Sequence, residues 1–218
     1  MGSITRGLSN NITTGGVILP AGITNASVSA VTSFANASAG TLILLSTQTA
    51  SASATISFTT GLNSTYDEYI FKFINIHPAT DDVQFQFNMS TDTGSNYNVT
   101  KTSTFFRSFH DEADTLATLQ YETGNDLAQS TAFQMLSSGV GNASDEHVSG
   151  TLTLFSPSST TYVKHFISSS EKTSNGFSAN DFSAGYGNTT SAVNAIQFKM
   201  SSGNIDDGII KLYGVKKS

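Results

Sequence analysis

From Val83 to Met89 the chain reads Val-Gln-Phe-Gln-Phe-Asn-Met, apolar at every odd position and polar at every even one. A strand turns successive side chains to opposite faces, so this alternation sends one face toward a core and the other toward water. The same period of two recurs along the chain, and nowhere does an apolar period of 3.6 persist through three turns of good helix formers. An all-β fold is therefore expected. Tyr69-Ile-Phe71-Lys-Phe73-Ile74 places three aromatics on one face, and Pro78, which cannot donate to a ladder, should end that run. Further strands are expected over 54–58, 99–109, 133–136, 148–155, 162–167, 195–200 and 209–215, with turns at Asn175-Gly176 and Ser201-Ser202-Gly203-Asn204. Eight or more strands at this spacing predict two antiparallel sheets packed face to face, a β-sandwich of jelly-roll or lectin-like kind. Ile209, Ile210, Leu212, Tyr213 and Val215 give the last strand two apolar faces, so it should be central or paired, and its loss should destroy the fold.

The sandwich is expected over residues 41–218, with residues 1–40 as an extended arm carrying Gly15-Gly16, Pro20 and Gly22. The 60 residues between Arg6 and Asp67 contain no Asp, Glu, Lys or Arg. A free tail normally stays solvated through charge and proline, so an uncharged arm with spaced Val, Ile, Leu and Phe is expected to lie against protein, and the chain to form oligomers. Roughly 28% of the residues are Ser or Thr and only 12% are charged, the balance of a turn-rich shell protein more than of an enzyme. A net charge of −6, with ten Lys and Arg spread over the length, counts against a nucleic-acid partner, and the short basic end of Lys211, Lys216 and Lys217 does not reverse it. Without cysteine there is neither a disulfide framework nor a thiolate metal site. The longest strongly apolar run, Leu42 to Leu45, is far short of the ~18 residues that suggest a span, so no membrane insertion is expected. The start has no basic-then-apolar signal pattern, which places synthesis, and residence until assembly, in a cytoplasm.

Three segments carry a resemblance. The opening Ile4-Thr-Arg-Gly7 with Asn11-Ile-Thr-Thr-Gly15, and the closing Gly208-Ile-Ile-Lys-Leu-Tyr-Gly214, resemble small virion proteins of bacteriophages, particularly those of marine and cyanobacterial phages. Ser90-Thr-Asp-Thr-Gly-Ser95 followed by Tyr97 is similar to the hairpin of phage lectin-like sandwiches. The resemblance implies a place in the virion as a capsid decoration, tail-fibre or baseplate protein, often a homotrimer. Its implied partners are other virion proteins and its own copies, and it brings no catalytic residues.

The residues themselves offer several candidate constellations. Asp92-Thr-Gly-Ser95 reproduces the tetrad of aspartic proteases, whose chemistry needs two such carboxylates sharing a proton. Only one copy occurs, and a tight turn is the expected reading. Asp81-Asp82, Asp111-Glu112 with Asp114, Asp145-Glu146 and Asp206-Asp207 could each offer hard oxygens to Ca²⁺, but none has a recognisable ligand loop and solvated tips are expected. Asn204 with Asp206 and Asp207 is the first metal candidate, although no metal or other cofactor is expected. His77, His110, His147 and His165 form no zinc spacing; His165 reads as a packed or edge residue and His110 as a partner for Asp111. In Phe105-Phe106-Arg107-Ser-Phe109 adjacent aromatics must face opposite ways, so one faces outward. Phe105, Phe106, Arg107 and Tyr97 are accordingly the ligand-binding candidates, with core or subunit packing as the plainer alternative.

These readings converge on a non-enzymatic virion structural protein, a capsid decoration or knob anchored through its uncharged arm. The alternative is a tail-fibre or baseplate-associated module that binds host surface glycans.

Overall fold

The computed structural model describes residues 41–217; the expected arm, with the Ile4–Gly7 and Asn11–Gly15 segments, lies outside them. Among the described residues there are twelve strands and no helix. In chain order they are β1 (Leu42–Ser53), β2 (Ile56–Phe58), β3 (Glu68–Pro78), β4 (Val83–Ser90), β5 (Lys101–Asp111), β6 (Ala117–Tyr121), β7 (Gln134–Val140), β8 (His147–Phe155), β9 (Lys164–Ser174), β10 (Phe177–Gly187), β11 (Ala195–Met200) and β12 (Ile205–Val215). Eight form one sheet in the order β1-β12-β3-β8-β9-β10-β5-β6, and four form a second in the order β2-β11-β4-β7. All pairings are antiparallel. The result is a β-sandwich with one sheet twice as wide as the other.

Alternation in the sequence becomes inward and outward placement as expected. Val83, Phe85, Phe87 and Met89 of β4 are buried, as are Tyr69, Phe71 and Phe73 of β3, which ends at Pro78. The two sheets meet over aromatics. Phe198 of β11 lies within 6.5 Å, ring centre to ring centre, of Phe58, Phe71, Phe73, Phe85 and Phe87, mostly edge-on or tilted. Such pairs add to the burial of their area because a ring edge meets the electron-rich face of its neighbour. β12 is paired on both sides, with β1 and with β3, one strand in from the edge of the wide sheet.

Four expectations change. β1 is a strand in its own right: its mixed Leu42-Ile-Leu-Leu then Ser-Thr-Gln-Thr run pairs with β12 over its whole length and leaves most of its residues in water. β6 and β10 also form strands that no apolar alternation announces. β9 starts at Lys164 and continues to Ser174, beyond the expected 162–167, because Ser168 and Ser170 face inward and donate their hydroxyls to Thr151 O (2.8 Å) and Leu136 O (2.9 Å). Asn88, expected on the wet face of β4, is buried; its amide donates to Tyr97 O (2.7 Å) and Thr131 O (2.9 Å).

The wide sheet thus has two kinds of inner face. Under β12, β3 and β8 it is apolar; under β9, β10 and β5 it presents Ser168, Ser170, Lys172, Asp181, Ser183, Lys101 and Ser103, all buried. Lys101 donates to Asn88 Oδ1 (2.5 Å) and Val99 O (2.7 Å), and burial lowers its pKa from 10.5 to about 7.

Two outcomes follow. Phe198→Ala should cost about 3–5 kcal/mol, read as a fall in the urea midpoint at unchanged slope, because five rings lose their shared neighbour. Lys101 gives a pH signature. Between about pH 7 and 10.5 the unfolded chain holds the proton that the folded chain has released, so stability rises with pH across that window. Lys101→Met should flatten the rise, measured by urea unfolding at intervals between pH 7 and 10; an unchanged slope would refute the assignment to Lys101.

Candidate functional site

β5 divides the Phe105-Phe106-Arg107 triplet as strand geometry requires. Phe105 points inward and is fully buried, Phe106 points outward and is 40% exposed, and Arg107 points inward again. In register with Phe106 stand Phe182 on β10 and Tyr121 on β6. The Phe106 and Phe182 rings stack 4.9 Å apart with 14° between their planes. Tyr121 is 51% exposed and donates its hydroxyl to Asp126 Oδ2 (2.5 Å). Beyond Phe182 the register places Ser169 of β9, so no bulky side chain stands at that end of the stack. Three strands therefore supply a ledge of three aromatics on the outer face.

The next outward row runs Leu119, Ser108, Asn180, Glu171 across β6, β5, β10 and β9. Small Ser108 leaves a dip there, an open groove of about 510 Å³ that also reaches His110, Ala117 and Ser178. Glu171 accepts hydrogen bonds from Ser178 Oγ (2.7 Å) and Asn180 Nδ2 (3.2 Å), which fixes its carboxylate on the groove floor. Asn180 Oδ1 is buried and has no hydrogen-bond partner among protein groups.

Arg107 belongs to the opposite, inward face. Its Nε lies 2.8 Å from Glu122 Oε1, close enough for an ion pair but not aligned for a hydrogen bond, and its η1 nitrogen donates to Ser138 Oγ (3.2 Å). The guanidinium carbon sits 5.0 Å from the centre of the Phe109 ring. With Asp82, Lys172, Ser174 and Phe177 it lines a cleft of about 240 Å³ between the sheets. Lys172 donates to Gly139 O (3.0 Å), and burial pulls its pKa down despite the opposing charge of Asp181. Burial likewise raises the pKa of Asp181, against Lys172 and hydrogen bonds from Ser138 N (3.0 Å) and Ser137 Oγ (2.8 Å). Each of these two buried groups is pushed toward its neutral form, the usual response to a low-dielectric layer.

The sequence candidates are thus separated. Phe106 lies on the ledge, Arg107 in the cleft and Phe105 in the interior. Tyr97 is in neither row: it is half-buried over the turn after β4, against Gly94. That turn is the Asp92-Thr-Gly-Ser95 tetrad, with Thr93 and Gly94 both at positive φ and Ser95 N bonded to Asp92 O. The Asp92 carboxylate caps it, accepting from Ser90 Oγ (2.6 Å), Asn96 Nδ2 (2.7 Å) and Asn96 N (2.9 Å), and these bonds lower its pKa to about 2.

The metal candidates do not assemble. Asn204 turns its amide to Ala52 O (3.0 Å), and Asp207 accepts from Gly208 N (2.7 Å). Asp206 faces His77 at 3.9 Å across a depression that also holds His147 and Glu146. Among the described residues, no three His, Asp or Glu side chains converge at metal-binding distance. His110 pairs with Asp114 (3.1 Å) instead of Asp111, whose carboxylate binds Thr115 and Leu116 N (2.8 Å). His165 is exposed on β9, an interior strand of the sheet, edge-on to Tyr186.

Phe182, Glu171 and Asn180 escaped the sequence reading. β10 inverts the usual pattern, turning Ala179, Asp181 and Ser183 inward and Phe182 and Tyr186 outward. The available signal was Asn175-Gly176, a two-residue turn with both φ positive that joins β9 to β10. No known protein family matches the chain, and neither a curated protein nor a solved structure proves similar to it.

The ledge is expected to bear mutation well. Phe106→Ser should shift the thermal midpoint little compared with Phe105→Ala, whose buried side chain should cost about 3–5 kcal/mol by urea unfolding.

Proposed function

We propose that this chain is a non-enzymatic structural protein of a bacteriophage virion, a capsid decoration or knob-like protein. In this reading residues 1–40 hold the particle or a sister subunit, and the sandwich is the exposed body.

One observation carries it: among the described residues, seven of the nine exposed large apolar residues stand on one face, Leu116 and Tyr162 being the exceptions. Leu42 and Leu44 of β1, Ile74 of β3, Ile167 of β9, Phe106 of β5 and Leu119 and Tyr121 of β6 all stand on the outer face of the wide sheet. Isolated exposed apolar residues need no explanation, but a face that concentrates them marks a surface that works by contact. The closing segment that resembles phage virion proteins supports the same reading; it forms β12, paired on both sides within that sheet. Commitment of Asp92 to a turn speaks against protease chemistry, because its carboxylate caps its own loop through Ser90 and Asn96 instead of pairing with a second carboxylate.

A second reading, a carbohydrate-binding adsorption module, is favoured by one specific feature, the polar groove beside the Phe106–Phe182 stack.

Antibody labelling of purified source particles in the electron microscope tests both. Label scattered over the head is expected for a decoration protein, and label at the tail tip would favour adsorption. Particles without label would overturn the virion reading. Light scattering of the full-length chain should report an oligomer, with a trimer expected from the resemblance; a stable monomer would remove self-association from the proposal.

A further inference from the structure

We propose that the groove beside the Phe106–Phe182 stack binds a neutral pyranose sugar. The site deepens the adsorption reading and rests on it, but it does not depend on where on a particle the protein sits.

A pyranose is amphipathic: one face presents C–H bonds, and its rim presents hydroxyls that both donate and accept. The outer face around the groove has the matching division. In the outward row next to the Ser108–Asn180 floor stand the Phe106 and Phe182 rings, stacked and partly exposed, with small Ser169 next in register. On the floor lies Glu171, whose carboxylate is oriented by Ser178 and Asn180 and keeps lone pairs for two adjacent hydroxyls. The volume of about 510 Å³ falls within the usual range of small-ligand sites. A charged sugar fits less well. The nearest fixed charge on the floor is Glu171, which repels an acidic sugar, and Lys172 and Arg107 face the other side of the sheet. A second copy of the chain would prefer a dry face, whereas here the row between Leu119 and Glu171 is Ser108 and Asn180.

Saturation-transfer NMR on the full-length chain, with methyl glycosides of glucose, galactose, mannose and N-acetylglucosamine at millimolar concentration, tests the site. At least one glycoside should receive saturation. Its affinity by titration should fall about tenfold or more in Phe182→Ala and in Glu171→Gln, each checked for an unchanged cooperative thermal transition. Phe106→Ser, at an exposed position, serves if Phe182→Ala does not fold. Absence of transfer to all four probes would overturn the proposal, as would transfer unchanged by every folded variant. Self-association that Phe106→Ser and Leu119→Ser abolish, without sugar binding, would also overturn it and assign the face to a second copy of the chain. Particle labelling and sugar binding report separately: sugar binding by a protein absent from particles would leave this site standing and remove the virion reading.

Discussion

Everything in this molecule depends on the aromatic contact between its two sheets. A chain without cysteine has no covalent cross-link to hold a wide sandwich together, so the free energy must come from packing. Phe198 is the hub, touching rings from β2, β3 and β4, and so it ties the narrow sheet to the centre of the wide one. Four strands cannot cover eight. The flanks of the wide sheet must either stay wet or find another way to be dry.

The two flanks solve this differently. β1 remains largely in water, its outward Leu42 and Leu44 exposed and its inner residues mostly small or polar. Beneath β9, β10 and β5 the inner face is dry but polar, a layer of serines, lysines and one aspartate facing β7. Buried polar groups cost free energy unless partnered, and most are: Ser170, Lys172 and Asp181 each bind a carbonyl, a hydroxyl or an amide across the gap, and Ser168 bonds to Thr151 O on the adjacent strand. Directional bonds of this kind align two sheets less by energy than by geometry, because each needs its partner at a fixed distance and angle. The large serine content finds its use here as well as in turns.

This arrangement explains which parts of the fold were legible in the sequence. Strands over the aromatic core, β3, β4, β8, β11 and β12, alternate apolar and polar residues in the ordinary sense and could be read directly. β10 could not, because its wet face carries Phe182 and its dry face Asp181, so hydropathy points the wrong way on both sides. The strand expected over 162–167 stops at Ile167 for the same reason, since Ser168-Ser-Ser170 carries no apolar signal although two of the three are buried. The candidate site suffered most. Phe106 was visible as an adjacent aromatic that had to face outward, but its partners Phe182, Glu171 and Asn180 come from strands that composition hides. Arg107, one residue further on, belongs to the other side of the sheet by parity alone.

The Asn175-Gly176 turn decides more than a change of direction. With only two residues, both in the left-handed region, it admits no slack, and the pairing of Ser174 with Phe177 sets every later pair along β9 and β10. One additional residue there would exchange the two sides of β10: Asp181 would emerge into solvent and Phe182 would be driven among lysines and serines. Which surface of this protein is adhesive and which is hidden is therefore written in the length of a single hairpin loop.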